Sequence, residues 1–250
     1  MHGLSAQELL EVWDHGESLS PCGRATLLLA TTCPEYSRQF IDSLTIGERD
    51  ALLAEIRART FGWDLASVAR CPACRELVEV GIDVRAIFSD RAPAAPDGEL
   101  CRQPLVIETE EFVVHAAIPA VRDLEAILTA TTPVEGLRLL LRRCILRAER
   151  RGAPCEVDDL SDDVRALIDQ RMAEADPHGA VRLSLDCPGC DHRWVLSFDV
   201  LAYFWSEIRT GARRLLREIH ALASAYGWKE SEILMLSAAR RRAYLELVAG

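Results

Sequence analysis

Two four-residue strings, Cys71-Pro72-Ala73-Cys74 and Cys187-Pro188-Gly189-Cys190, constrain this chain more than any other feature. Each places two thiols three positions apart, so that one tight turn can aim both the same way. The likeness continues beyond the cysteines. Residues 71–88 align with residues 187–204 without a gap at an offset of 116, with seven identities in eighteen positions. After the cysteines and prolines these are Asp83/Asp199, Val84/Val200, Ala86/Ala202 and Phe88/Phe204, with apolar Val80/Leu196 and Ile82/Phe198 between. Each unit therefore reads as a knuckle, a short strand, and an Asp that caps the start of a helix.

Two such knuckles suit one chemistry above others. Four thiolates close a tetrahedral structural zinc site and leave no position for a catalytic water. The expected ligands are Cys71, Cys74, Cys187 and Cys190, holding one structural Zn2+ per chain. Knuckles of a linear ribbon are usually about 15–20 residues apart; here 112 intervene, so the ribbon must carry an inserted subdomain. The alternative is two independent turns with reduced thiols. A thioredoxin-like pair fits poorly, because proline follows the first cysteine and no βαβ pattern surrounds either motif. His192 lies close enough to replace a ligand, but four cysteines suffice. His115, His178 and His220 read as ordinary histidines of a strand, a turn and a helix. Cys22, Cys33, Cys101, Cys144 and Cys155 stand alone and read as small buried hydrophobes.

The rest of the chain is mainly helical in pattern. Ser5-x-x-Glu8 and Thr45-x-x-Glu48 are capping boxes, and the first 70 residues read as a run of short helices, the third opened by Pro34. Arg49 and Asp50 fall inside the helix begun at Thr45, as a solvated face or a tie to a neighbour. Leu77, Val78, Val80 and Ile82 read as a strand, residues 91–104 as a loop and residues 111–118 as a second strand. Thr132-Pro133-Val134-Glu135 opens a helix striped by Leu137, Leu140, Leu141 and Ile145. Another helix runs from about 160 to 175. Val181, Leu183 and Leu185 alternate into the second knuckle and Trp194, Leu196 and Phe198 alternate out of it. Residues 201–226 keep an apolar stripe over some seven turns, Gly227 interrupts it, and two shorter helices follow. The expected fold is α+β and mostly helical, with a small split zinc-ribbon β-sheet, an inserted helical segment and a long C-terminal helix. Its expected parts are an N-terminal helical segment (1–69), the first half of the ribbon (70–117), an inserted helical subdomain (118–177), the second half (178–200) and C-terminal helices (201–250).

Composition narrows the function. The net charge of −10 divides into +3 for residues 203–250 and −13 for residues 1–202, which opposes non-specific phosphate binding. No apolar run approaches the ~20 residues of a bilayer helix, and the first residues carry no basic region followed by an apolar one. A cytoplasmic location, with no membrane partner, is expected. No nucleophile elbow, zincin, dinucleotide or phosphate-loop string occurs, so an enzyme is not expected. The pairs Asp158-Asp159 and Asp162-Asp163 suit a helix start.

Read in order, the motifs form a recognisable series. Ile46-Gly47-Glu48-Arg49-Asp50 and Phe61-Gly62 precede the first knuckle. Phe198-Asp199-Val200 and Phe204-Trp205-Ser206-Glu207-Ile208 follow the second. Glu218-Ile219-His220-Ala221-Leu222-Ala223, Ala225-Tyr226-Gly227-Trp228, Glu232-Ile233-Leu234, Leu236-Ser237 and Arg240-Arg241-Arg242-Ala243-Tyr244-Leu245 complete it. Over residues 9–248, and most closely over 205–247, the chain resembles the T-even-type phage baseplate hub assembly chaperone family. Relatives in that family also lie in gene clusters for phage-tail-like contractile injection systems. They generally carry Gly where Arg75 stands and Ser where Lys229 stands. The resemblance implies a non-enzymatic assembly chaperone or minor baseplate component that binds hub or baseplate proteins of a contractile tail. Trp205, Tyr226, Trp228, Arg240, Arg241 and Tyr244 have the aromatic-plus-Arg mix of a partner-binding surface, although aromatics at helical spacing are equally well explained as core. The rival reading is a zinc-ribbon nucleic-acid-binding protein or transcription regulator. The acidic balance of residues 1–202 opposes it, and no specific nucleic acid is expected to bind.

Overall fold

In a computed structural model, residues 1–88 and 103–249 are described. Most of the loop expected at 91–104, and Cys101 with it, lie outside them. The first helices start where side-chain caps occur. Ser5 opens α1 (Ala6–Gly16), and Ser5 and Glu8 satisfy each other's amides. Ser20 with Pro21 opens α2 (Pro21–Thr32), Ser37 rather than Pro34 caps α3 (Arg38–Ser43), and Thr45 with Glu48 opens α4 (Ile46–Phe61).

The stretch after α4 corrects the helical expectation. Asp64–Arg70 is a strand, β1, which pairs antiparallel with β2 (Leu77–Asp83), so the first knuckle sits at the tip of a hairpin. Val84–Phe88 follows as α5. The insertion then contributes β3 (Leu105–Glu108), β4 (Phe112–Ala116), α6 (Val121–Ile127), α7 (Pro133–Cys144), β5 (Ile145–Arg150), β6 (Ala153–Pro154) and α8 (Asp162–Ala175). Here too an expectation is corrected. Ile145 does not extend the stripe of α7 but begins β5, which lies between β4 and β6 in a four-stranded antiparallel sheet. The second hairpin, β7 (Arg182–Asp186) and β8 (Arg193–Ser197), carries the second knuckle. The 27-residue α9 (Val200–Tyr226), α10 (Glu230–Leu234) and α11 (Ala238–Ala249) end the chain. Gly227, at φ 68, caps α9 in the left-handed region that glycine enters without strain. The fold is a mostly helical α+β fold, and among the described residues no helix is long and apolar enough to cross a membrane.

Among the described residues two large hydrophobic cores result, with a small third cluster around Cys71 and Cys187. The main one packs Leu28, Leu29, Leu53 and Ile56 of the N-terminal helices against Phe204, Ile208 and Leu222 of α9. Each such side chain contributes ~1.5–3 kcal/mol on burial. The second lies inside the insertion, where Ile107, Phe112, Val114 and Ala148 meet Leu160, Val164 and Ile168 beneath α8. Backbone contacts hold the two together. The Val121 amide donates to the Leu44 carbonyl at 2.9 Å, and the Gly47 amide donates to Asp176 Oδ2 at 2.8 Å. A Cβ on Gly47 would lie 2.3 Å from Asp176 Oδ1 and 2.9 Å from the Gly179 nitrogen. Only glycine lets the 3-10 turn Pro177–Ala180 approach α4 so closely.

Candidate metal centre

The two hairpins are the same object built twice. Ala66 pairs with Gly81 in the first and Arg182 with Ser197 in the second. Adding 116 to the five pairs from Ala66–Gly81 to Arg70–Leu77 gives every pair of the second hairpin. The turns match as well. The Arg75 amide donates to the Cys71 carbonyl and the Asp191 amide to the Cys187 carbonyl, both at 2.9 Å. The Cys71 and Cys187 amides donate to the Glu76 and His192 carbonyls at 2.9 and 3.0 Å. Arg75 and Asp191 both take the left-handed conformation, with φ 66 and φ 56. Each hairpin then feeds a helix whose capping Asp accepts a backbone amide, Asp83 from Arg85 and Asp199 from Ala202. Phe88 and Phe204, at equivalent places in those helices, are both buried in the main core.

This duplicated scaffold brings the four knuckle sulfurs together. Cys71 Sγ is 3.7 Å from Cys190 Sγ, Cys74 Sγ is 3.6 Å from Cys187 Sγ, and all four lie within 4.8 Å of one another. Such separations far exceed the ~2.05 Å of a disulfide. They match the ~3.8 Å edge of a tetrahedron with metal–sulfur bonds of ~2.3 Å. Cys71 and Cys187 are buried with Val78, Val80 and Trp194 around them, while Cys74 and Cys190 face outward. Backbone amides already point at the sulfurs, those of Ala73 and Cys74 at Cys71, that of Glu76 at Cys74 and that of His192 at Cys190.

The electrostatics favour a cation. Burial pushes the Cys71 thiol up, but the Cys74 and Ala73 amides and the neighbouring thiols outweigh it and bring it down to about 6. At Cys190 the His192 amide favours the thiolate, yet the surrounding sulfurs prevail and push the thiol up to about 12. Cys74 is raised as well: the Glu76 amide and the Cys190 sulfur favour its thiolate, but burial and the Cys187 and Cys71 sulfurs oppose it. One sulfur ionises readily and its neighbours then resist, because thiolates this close repel unless a cation lies between them. The residues thus fit a metal ion bound by four sulfurs. His192 is not among the grouped ligands; its ring stacks on Trp194 at 6.3 Å.

A side chain that sequence reasoning passed over fixes the first hairpin. Arg57 is 2% exposed and spans three elements. It grips Glu207 of α9 through Nε and Nη2 at 2.8 and 2.5 Å, and donates to the carbonyls of Gly62 and Asp64 at 2.6 and 3.1 Å. Arg49 and Asp50 are likewise buried, paired at 2.6 Å, not set on a solvated face. Among the lone cysteines, Cys22, Cys33 and Cys144 are buried and Cys155 is half-buried.

The aromatic and arginine residues expected at a partner surface separate into two groups. Trp205 is 4% exposed, with Gly16 against its ring and the Arg24 guanidinium 4.5 Å from the ring centroid. Arg241 is buried, pairs with Glu218 at 3.0 Å and donates to the Leu236 carbonyl at 2.6 Å. These two hold α1, α2, α9 and α11 in place. Tyr226, Trp228 and Tyr244 form a cluster with centroid separations of 4.7, 4.9 and 5.7 Å. Tyr226 remains exposed at the surface, as does Arg240.

Comparison with family models, with curated proteins and with solved structures found no match to this chain.

Proposed function

We propose that this chain is a zinc-stapled, non-enzymatic assembly factor of a phage-like contractile tail, acting in the cytoplasm as a chaperone for hub or baseplate proteins or as a minor baseplate component. The observation that carries the metal half of this reading is the tetrahedral spacing of Cys71, Cys74, Cys187 and Cys190 on two hairpin tips. Sulfur occupies every corner, so a zinc ion there joins distant parts of the chain and offers no site to a substrate. The tail-assembly half rests on the motif series from Ile46 to Leu245. Tyr226 and Arg240 supply exposed aromatic and guanidinium groups of the kind found at binding hot spots.

Elemental analysis of the purified protein tests the first half, with about one zinc per chain expected for a closed four-thiolate site. A metal-free protein whose melting is unchanged by chelation overturns it. For the second half, the tagged protein is recovered from cells expressing its intact gene cluster and its partners are read by mass spectrometry. Tube, hub or baseplate proteins should co-purify, and less so with Tyr226→Ala or Arg240→Glu. Their absence, together with duplex DNA binding tighter than micromolar and a preferred site, would favour the nucleic-acid alternative.

A further inference from the structure

The insertion meets the main helical body across a groove of about 410 Å3. One wall is α7, whose Leu137, Leu140, Leu141 and Cys144 recur on one face. The facing wall is α8, where Ala166 and Ala173 flank Asp169 two turns apart, about 10 Å along the helix. Although α7 is amphipathic, only Gly136 and Cys144 on it are buried, and Leu137 is 56% exposed. An apolar stripe of this kind is ordinarily covered. The alanines opposite leave room for side chains that none of the described residues supplies.

Charge indicates what kind of segment fits. The nearby arginines are already engaged: Arg138 and Arg142 both reach Asp158, Arg143 reaches Asp123, and Arg165 reaches Asp162. Asp176 receives the Gly47 amide. Asp169, between the two alanines, has no hydrogen-bond or ion-pair partner among the described residues. We propose that this groove docks a basic amphipathic helix of a client protein, its apolar side chains entering between α7 and α8 and a Lys or Arg meeting Asp169. This deepens the assembly reading by naming the chemistry of the docked segment, and rests on that reading only for where the segment comes from.

The test uses the full-length zinc-loaded protein and a fluorescein-labelled 16-residue helix with leucines at i, i+3, i+7 and lysines beside them. A second peptide replaces every lysine with glutamate. The lysine peptide should bind about tenfold more tightly than the glutamate peptide, and Asp169→Arg should reverse that order. Leu137→Glu and Ala173→Phe, one charging the groove and the other filling it, should each weaken binding by about tenfold or more, with circular dichroism confirming the fold. Binding indifferent to both groove variants, or a wild-type preference for the glutamate peptide, overturns the proposal. So does a concentration-dependent dimer that Leu137→Glu dissolves, which would make the occupant a second copy. If peptide binding holds while no tail protein co-purifies, the docking chemistry stands and the assembly reading falls.

Discussion

Arg75 and Asp191 stand at equivalent points of the two turns with positive φ, and the left-handed conformation costs a residue with a Cβ ~1–2 kcal/mol. Arg75→Gly should therefore stabilise the protein by about 1 kcal/mol in chemical denaturation, part of the relief being offset by the entropy that glycine loses on folding. No change, or a loss, would mean that contacts of the arginine outweigh its strain. Asp50 makes a prediction about pH. Burial pushes its carboxyl up to about 6 against the attraction of Arg49, with Asp199 and Asp176 adding to the rise. A raised carboxyl contributes stability that is complete below its ordinary value of 3.8 and is lost as pH climbs through about 6. A shift of this size corresponds to about 3 kcal/mol. Melting followed from pH 3.5 to 6.5 should show this decline in the native protein and a flatter profile in Asp50→Asn. Identical slopes would contradict it. The four clustered cysteines were legible in the sequence because Cys-Pro-x-Cys has few other uses. Asp50 and Arg57 were not, because a charged residue on a helix looks the same whether it faces water or a buried partner.

Among the elements, β1 shows most clearly what local pattern leaves out. Asp64–Arg70 holds Ala66, Ser67 and Ala69, with little of the β-branched or aromatic bias of a strand. Pairing with β2, whose Val78 and Ile82 supply the apolar face, makes it one. The clue lay in the second unit, where Val181, Leu183 and Leu185 occupy the positions of Leu65, Ser67 and Ala69; carrying the repeat back past the cysteines would have found the strand. β5 was hidden for the opposite reason, since Ile145 continues the spacing of Leu137 and Leu141 and only the partner strands end the helix. Arg57 is what holds β1 against α4 and α9. Arg57→Lys keeps the charge but cannot form the paired contacts to Glu207 or reach both carbonyls. It should cost several kcal/mol, up to the ~3–5 kcal/mol of a broken buried pair, with faster hydrogen exchange concentrated in β1 and β2. Exchange unaltered in that hairpin would show that the cysteines alone position it.

At the scale of the molecule, the cysteine cluster and the insertion's core are separate. The sulfurs sit on the hairpins that lead into the main core, whereas Ile107, Val114 and Ile168 pack in a core of their own. Chelation, or Cys187→Ser, should therefore loosen both hairpins together, since folding and metal binding are coupled. Amide protection should fall in residues 64–83 and 182–197 and persist in β4, β5 and α8. Loss confined to the second hairpin would argue against a shared ion. The identical registers of the two hairpins have one more consequence. Each knuckle is half of a lock, and the first knuckle of one molecule presents to the second knuckle of another the same face that it presents to the second knuckle of its own chain. At high protein concentration during refolding, two chains can trade halves across the 112-residue interval and complete two sites between them. Such an exchanged pair would hold the same metal per chain as the monomer, so that composition alone would not tell them apart while sedimentation would.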